Sequence, residues 1–322
     1  MSFCGYQSEI REGDTVILYL TINQYYSIEA KNTTLSKKGA PIQNVIQTPY
    51  GSLACGDLIG KKYGTKIQLK KGWAYVLQPT PEFWTEILPH RTQIIYTPDI
   101  SMILLFLDLK PSSIVIESGT GSGSLSHAII RKIKPSGHLY TFDFHETRVE
   151  IVRKEFADHG LSDFVTVQTR DVCTTGFGEE LHGKVDAIFL DLPQPWSAAN
   201  FTPKMFKGRG GRLCSFSPCI EQVQKMCGVL SNLGYQEIQT MEVLQSYFAV
   251  QKRKMHVLNL NMLKTPNSNE KENEKTEKEY ANFITSISPN SLPGHTGYLT
   301  FATFPPTHSI YCNNVIIKSE LN

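Results

Sequence analysis

The apolar positions of this chain change their spacing near residue 80. Before it, short runs of alternating, β-branched and aromatic residues recur: EGDTVILYL at 12–20, KYGTKIQL at 62–69 and GWAYVLQPT at 72–80, separated by glycines and lysines. Such segments predict strands, and their density predicts a small all-β barrel domain over residues 1–80. Pro79 and Pro81 mark its end, because proline fixes φ and removes a backbone donor. From 81 to 263, strand-length apolar runs alternate with segments of helical spacing. The strand runs are Ile114–Ile116, HLYTFDF (138–144), FVTVQT (164–169), DAIFL (186–190) and GRLCSFSPC (211–219). The helical segments include ISMILLFLDL (100–109), LSHAIIRKI (125–133) and IEQVQKMCGVLSNLG (220–234), and EIQTMEVLQSYFAV (237–250) adds a further strand. This alternation predicts the α/β class, a parallel sheet with crossover helices. KTPNSNEKENEKTEKE (264–279) is charged and nearly free of apolar residues, so 264–290 reads as a flexible insertion. GHTGYLTFATF (294–304) returns as a strand, the last and antiparallel one of the sheet, within a segment 291–304; the tail 305–322 carries no assignment.

The strand at Ile114–Ile116 ends in Glu117-Ser118-Gly119-Thr120-Gly121-Ser122-Gly123-Ser124 and runs into a helix that Ser124 can cap. Glycines at alternate positions let the backbone bend sharply and let a ligand lie against the main chain. A dinucleotide fingerprint places two residues before its last glycine; here the spacing is E-x-G-x-G-x-G. That spacing resembles motif I of the class I S-adenosylmethionine (SAM) methyltransferases, which implies a Rossmann-like methyltransferase sheet. In that family the acidic residue helps hold the methionine ammonium group. The next strand ends at Asp143, about twenty residues on, where such folds place a carboxylate on the ribose hydroxyls. Arg148 follows on the next helix. Asp171 and Val172 follow the third strand, where methyltransferases often meet the adenine amine, and Asp191 follows the fourth. Four carboxylates at successive strand ends around one crevice make SAM the expected cofactor.

Net charge narrows the picture further. At +2 over 322 residues the chain is nearly neutral, whereas nucleic-acid binders usually carry a clear basic excess. Affinity for RNA therefore has to come from local basic patches or from a partner. Lys204, Lys207, Arg209 and Arg212 form one such cluster and Lys252, Arg253 and Lys254 another, with a solvated face the plainer reading of each. The polar, acidic N-terminus MSFCGYQSEIREGD shows neither a secretory nor a transit signal, and ISMILLFLDL is too short to span a bilayer. Seven cysteines include no CxxC pair, so neither a zinc site nor a disulfide framework is expected. His127, at helical spacing, reads as structural.

Methylation of an adenine ring nitrogen needs no base, because N1 already has an in-plane lone pair. It needs the positive charge developing on the ring to be stabilised, which a carboxylate accepting from the adjacent N6 amine provides. Asp191, in the proline-stiffened loop DLPQPW, is the candidate; Trp196 offers an aromatic face for a flipped base. Helix capping is the plainer reading of Asp191, and core packing that of Trp196. The loop is longer than the Asp-Pro-Pro-Tyr type of amino-methyltransferases.

Further segments make the resemblance specific. MSF and EGDT, KGWAYVLQPTPEFW, LPHRTQIIY, ESGTGSGSLSHAIIR, TGFG, FLDLPQPW, GGRLCSFSPCIEQVQ and GHTGYLTFAT together resemble the catalytic subunits of eukaryotic tRNA adenine-58 N1-methyltransferases. They cover nearly the whole chain except 21–50, the 264–290 insertion and the tail. The resemblance implies methyl transfer from SAM to N1 of adenine 58 in the tRNA T-loop, in the nucleus. It implies a heterotetramer of two catalytic and two non-catalytic homologous RNA-binding subunits, with no membrane and no metal. It places catalysis on Asp191. It places SAM contacts on Ile95, Glu117, Ser118, Gly119, Thr120, Gly121, Ser122, Gly123, Ser124, Leu125, Asp143, Arg148, Asp171, Val172 and Asp191. RNA contacts fall on Arg91, Thr92 and Gln93, on Leu190, Leu192, Pro193 and Trp196, on Ser215, Phe216, Ser217, Pro218, Cys219 and Gln222, and on His295, Thr296, Gly297 and Tyr298. Asp143 departs from relatives that often have Glu there; both can hold a ribose. Three alternatives stay open: a non-catalytic RNA-binding paralogue, a different SAM enzyme, and a homotetramer. The intact glycine turn, Asp143 and Asp191 argue against the first. The sequence also leaves open whether T-loop-like sites in mRNA are substrates.

Overall fold

The structure, a computed structural model, describes residues 3, 5–36, 39–89, 91–246, 248–257, 280–287 and 296–306. They fall into two units, Met1–Val243 with Gly297 onward, and Leu244–Thr296.

The first unit opens with eight short strands: β1 (Thr15–Thr21), β2 (Gln24–Glu29), β3 (Thr33–Leu35), β4 (Pro41–Gln43), β5 (Val45–Thr48), β6 (Gly51–Ala54), β7 (Lys66–Leu69) and β8 (Gly72–Leu77). Four of them form an antiparallel sheet in the order β2-β1-β8-β7, while β3–β4 and β5–β6 are separate hairpins. The small all-β domain is present. Its central sheet is open by hydrogen bonding, with β2 and β7 as edges, and no ladder closes it into a barrel among the described residues. Period-two alternation sends Val16, Leu18 and Leu20 of β1 inward, onto Ile67, Leu69, Ala74 and Val76. Thr80 ends this part by capping α1 (Pro81–Ile87): its hydroxyl accepts from Phe83 N–H, and Pro81 takes the first helical turn, where its missing donor costs nothing.

The remainder of the unit is α2 (Thr97–Phe106), β9 (Ile114–Ser118), α3 (Ser124–Ile133), β10 (His138–Asp143), α4 (Glu146–Asp158), β11 (Val165–Thr169), α5 (Val172–Thr175), β12 (Ala187–Asp191), α6 (Pro195–Ala199), β13 (Gly211–Ser217), α7 (Ile220–Asn232) and β14 (Gln236–Met241). In unit two, β15 (Ala249–His256) pairs antiparallel with β16 (Tyr280–Ile287); β17 (Tyr298–Phe304) then returns to the first unit. The large sheet runs β11-β10-β9-β12-β13-β17-β14, parallel except at β17, which is antiparallel to β13 and β14. Successive residues of each strand face opposite layers. Val115, Phe189, Cys214 and Phe301 meet Ile103, Ile129 and Val152 of α2–α4, while Ile116, Ile188, Leu213 and Ala302 meet Ala198, Met226 and Leu230 of α6 and α7. Each fully buried aliphatic or aromatic side chain contributes about 1.5–3 kcal/mol through the hydrophobic effect. No helix among the described residues is long and apolar enough to cross a membrane.

Three sequence expectations change. Residues 237–250 do not form one strand, because β14 ends at Met241 and β15 starts at Ala249. Leu244–Thr296 is its own unit, so the boundary expected at 263 falls after Val243. Residues 280–287, assigned to the flexible insertion, form β16: YANFITSI carries aromatic and β-branched residues that pair with Ala249–His256 despite their distance in sequence. Residues 264–279, His90 and His295 and the tail after Pro306 lie outside the described residues.

Candidate functional site

The parallel strands β9, β10, β11 and β12 carry their acidic residues to one edge, at the carboxyl ends where an open α/β sheet binds ligands. Two adjoining clefts share Gly119, Asp143, Arg148 and Asp191. The first adds Thr92, Gln93, Ile94, Ile95, Glu117, Thr120, Gly121, Ser122, Ser124, Leu125 and Phe189. The second adds Ser118, Phe144, His145, Arg170, Asp171, Val172, Cys173, Thr174, Leu192, Pro193 and Gln194. Every expected SAM residue lines one of them except Gly123. Gly123 takes a left-handed φ of 76° as the N-cap of α3, and a Cβ there would meet Phe156 and Val152 of α4 rather than a ligand. Ser124 does not cap the helix either. It is the first helical residue, and its hydroxyl donates to the Ile95 carbonyl at 3.0 Å and lies 2.8 Å from the Thr85 hydroxyl, tying the 92–95 loop and α1 to the glycine turn.

The turn is tight because two glycines have close neighbours. Gly119 has φ 95°, and a Cβ there would overlap the Asp191 carbonyl oxygen; at Gly121, φ 54°, a Cβ would sit 2.8 Å from Thr92 Oγ1. Arg91 closes the same loop from outside. Its guanidinium makes two 2.7 Å hydrogen bonds to Glu155 of α4, and its backbone N–H donates to Ser122 Oγ. Arg91, expected to contact RNA, is engaged in this structure as a clamp between the loop and α4.

The carboxylates occupy different environments. Glu117 is buried; Ser126 and Thr141 hydroxyls donate to Oε2 at 2.6 and 2.7 Å, and burial pushes its pKa up to about 7 against those hydrogen bonds. Asp143 accepts from Gly121 N–H on Oδ2 and from His145 N–H on Oδ1; burial raises its pKa, opposed by the Gly121 N–H, by Arg148 at 3.6 Å and by the Phe144 backbone. Asp171 caps α5 through Cys173 N–H. Asp191, half-buried, accepts no side-chain hydrogen bond among the described residues, and burial alone pushes its pKa up to about 6. It is not a helix cap: α6 starts after Gln194.

The residues assigned to RNA divide. Thr92, Gln93, Leu192 and Pro193 line the clefts. Gln222 Nε2 donates to the Pro193 carbonyl, and Gln222 Oε1 accepts from Cys219 N–H, so the start of α7 is fastened to the Asp191 loop. Tyr298 pairs with Ser217 in the sheet, and Gly297 leaves room for the Phe216 ring, so these four share the carboxyl end of β13. Pro218 and Thr296 are exposed. Leu190, Ser215 and Ser217 are fully buried; Leu190 packs in the core, while the Ser215 and Ser217 hydroxyls have no hydrogen-bond partner among the described residues. Trp196 packs half-buried against the α6–α7 layer with Lys225 Nζ over its ring at 5.1 Å and lines neither cleft. Of the basic clusters, Lys207 and Arg209 both pair with Asp186 at the opposite edge of the sheet, while Lys252, Arg253 and Lys254 are exposed on β15. Phe189 and Arg170 were not singled out by sequence. Phe189 reads only as one more apolar residue of a buried strand.

A glycine turn after the first strand, carboxylates at four strand ends and an antiparallel penultimate strand in the sheet define a class I SAM-dependent methyltransferase fold. A SAM-dependent O-methyltransferase from Thermotoga maritima shares it, with a TM-score of 0.71 and 23% identity over 92% of this chain and 95% of that one. The family described as "tRNA methyltransferase complex GCD14 subunit" matches residues 72–304, and the chain belongs to it. It is 40% identical over 314 residues to the tRNA (adenine(58)-N(1))-methyltransferase catalytic subunit trmt61a of Dictyostelium discoideum, covering 92% of this chain and 97% of that protein. It is 41% identical over 266 residues to the catalytic subunit TRM61 of Kluyveromyces lactis, covering 75% of this chain and 62% of that protein.

Proposed function

We propose that this chain is the catalytic subunit of a tRNA adenine-58 N1-methyltransferase, using SAM as methyl donor. The observation that carries the reading is Asp191. Its carboxylate stands at the mouth of the crevice beside the glycine turn and accepts no side-chain hydrogen bond from the described protein.

The residues present fit SAM. The turn brings bare backbone to the crevice, Asp143 is held rigid by two backbone donors with lone pairs left for ribose hydroxyls, and Glu117 Oε1 is left for the methionine ammonium group. Bound SAM supplies an electrophilic methyl group on a sulfonium. Asp191 accepts a hydrogen bond from the adenine N6 amine, which orients N1 and opposes the positive charge growing on the ring as N1 takes the methyl group. In a half-buried site that interaction is stronger than in water. The 92–95 loop lines one cleft and Leu192-Pro193 the other, so the two flank Asp191.

The family description, a complex subunit, supports a partner. We take the assembly as two catalytic and two homologous non-catalytic RNA-binding subunits acting in the nucleus; the net charge of +2 independently favours a partner that carries phosphate contacts. The test is methylation of tRNA transcripts by the chain alone and co-expressed with that subunit, with product mapped by position. Loss of product when adenine 58 is replaced supports the reading. Methylation at another atom or position overturns it. Mapping in total RNA decides whether T-loop-like mRNA sites are used, mass measurement decides the stoichiometry, and imaging of the tagged chain decides the compartment.

A further inference from the structure

The crevice leaves one strongly basic element of the first unit unused. From Lys61 to Tyr75 the sequence KKYGTKIQLKKGWAY holds five lysines and no acidic residue, against a net charge of +2 for the whole chain. This is the β7–β8 hairpin. Leu69 pairs with Gly72, so Lys70 and Lys71 form its two-residue tip, and Lys66 sits opposite Tyr75. Lys66, Lys70 and Lys71 are exposed and have no ion-pair partner among the described residues. Lys62 differs from these three, because a β-bridge sets it opposite the acidic Glu9.

Aromatic rings accompany the charge. Trp73 is 39% exposed and Lys66 Nζ lies 4.1 Å from its ring centroid. Trp73 and Tyr75 share a strand face and meet edge to face at 5.2 Å. Tyr75 is in register with Tyr19, and Tyr19 with Tyr25, so a row Trp73–Tyr75–Tyr19–Tyr25 crosses the sheet on one face, with Lys66 beside it at the edge strand. The three tyrosines are half-buried, and Tyr19 and Tyr25 also meet Phe83 of α1 edge to face, so Trp73 and Tyr75 are the open end of the row.

We infer that the β7–β8 hairpin and this aromatic row form a second RNA-docking surface, outside the methylation crevice, that takes phosphates on Lys66, Lys70 and Lys71 and an unpaired base on Trp73. This rests on the reading of the chain as an RNA methyltransferase. The occupant follows from chemistry. Unpaired lysines at a strand edge complement a polyanion, and aromatic faces interleaved with cations suit unpaired nucleotides, which stack without sequence preference. Lys207 and Arg209 differ from the three hairpin lysines, because both are already paired with Asp186.

The test uses the full chain co-expressed with its partner subunit and a tRNA substrate. Lys66→Ala/Lys70→Ala/Lys71→Ala should lower the slope of log K against log salt by about 2, since each lost single-strand phosphate contact removes about 0.7. KM for tRNA should rise at least tenfold while kcat at saturating tRNA stays put, because none of the three lines the crevice. Trp73→Ala should weaken binding about tenfold, with Trp73→Phe restoring most of it. Unchanged salt slope and KM overturn the proposal. So does a triple variant that assembles poorly with the subunit yet, once assembled, binds RNA normally; the surface then belongs to a protein partner. Mapping the product of the wild type in parallel separates the two readings: if no N1-methyladenine forms while the hairpin variants still lose RNA binding, the activity assignment falls and the docking surface stands.

Discussion

Gly119 lies against Asp191 so closely that a Cβ on the glycine would overlap the Asp191 carbonyl oxygen and sit 3.2 Å from the Asp191 Cβ. The glycine turn and the Asp191 loop are thus one packed object, although 72 positions separate Gly119 and Asp191 in the chain. Gly119 also has a φ of 95°, which an L side chain rarely adopts. Gly119→Ala is expected to push back the end of β12 and weaken SAM binding at least tenfold. Calorimetric titration with SAM checks it, and wild-type affinity would disconnect the turn from the loop.

Replacing Asp191 by Asn keeps the shape and removes the charge. Removing one electrostatic partner of a developing charge typically costs a hundredfold or more in kcat. Asp191→Asn should lose about that much, with SAM affinity within a few-fold of wild type. Single-turnover methylation measured beside SAM titration separates the two effects.

Burial raises both Asp191, to about 6, and Glu117, to about 7. The proposed mechanism needs each ionised, Asp191 against the ring charge and Glu117 against the ligand ammonium. The acid limb of kcat/KM, which reports the free enzyme, should therefore fall between about 6 and about 7 instead of in the ordinary carboxylate range. A limb near 4 would mean that neither group titrates as the geometry requires.

Arg91 and Glu155 are both mostly buried and joined by two hydrogen bonds. Removing either strands a charge, while removing both removes the problem. Arg91→Ala and Glu155→Ala should each cost about 1–3 kcal/mol, and the double variant less than their sum. The single variants should also loosen the 92–95 loop and weaken SAM binding. Denaturant unfolding of all four proteins measures the coupling, and strict additivity would exclude a working pair.

His127 and His159 form a buried pair under Phe3 and Trp84. His127 Nδ1–H donates to the Gly123 carbonyl at 2.6 Å, so its Nε2 accepts from His159 Nδ1–H at 2.9 Å. Burial, with the neighbouring ring, holds His127 down to about 3, and burial holds His159 down to about 4. The folded values lie below the unfolded one, so the unfolded chain binds the protons. This contribution to stability is complete above about pH 6.5 and is lost as pH falls below it, by up to about 1.4 kcal/mol per pH unit for each ring. Glu117, raised on folding, has the opposite sign between about 4.5 and 7, so the comparison must be with a variant. Unfolding of wild type and His159→Gln from pH 7.5 to 5 should show the steeper loss in wild type; parallel curves would reject the neutral pair.

Some parts of this protein are settled by short stretches of chain alone. Alternate glycines after a β-branched run can only turn, and apolar runs of strand length separated by helical spacing can only stack as a layered sheet, so β9–α3, the parallel strands and the carboxylates at their ends were all legible. Tertiary structure decided what depends on which distant segments meet. β16 exists because Tyr280–Ile287 finds β15 across an intervening charged stretch, and no local pattern reveals a pairing partner. Arg91 looks like any basic residue in a polar loop until Glu155 arrives from α4. Trp196 and Gly123 lie one turn from ligand-facing neighbours, and the direction of a side chain around a turn is fixed by the packing of α6 and α4 beneath it. Asp191 belongs to both kinds of knowledge. Its place at a strand end is written in the sequence, while the lack of a side-chain hydrogen bond to it among the described residues, on which its proposed role rests, is set by what packs around it without reaching it.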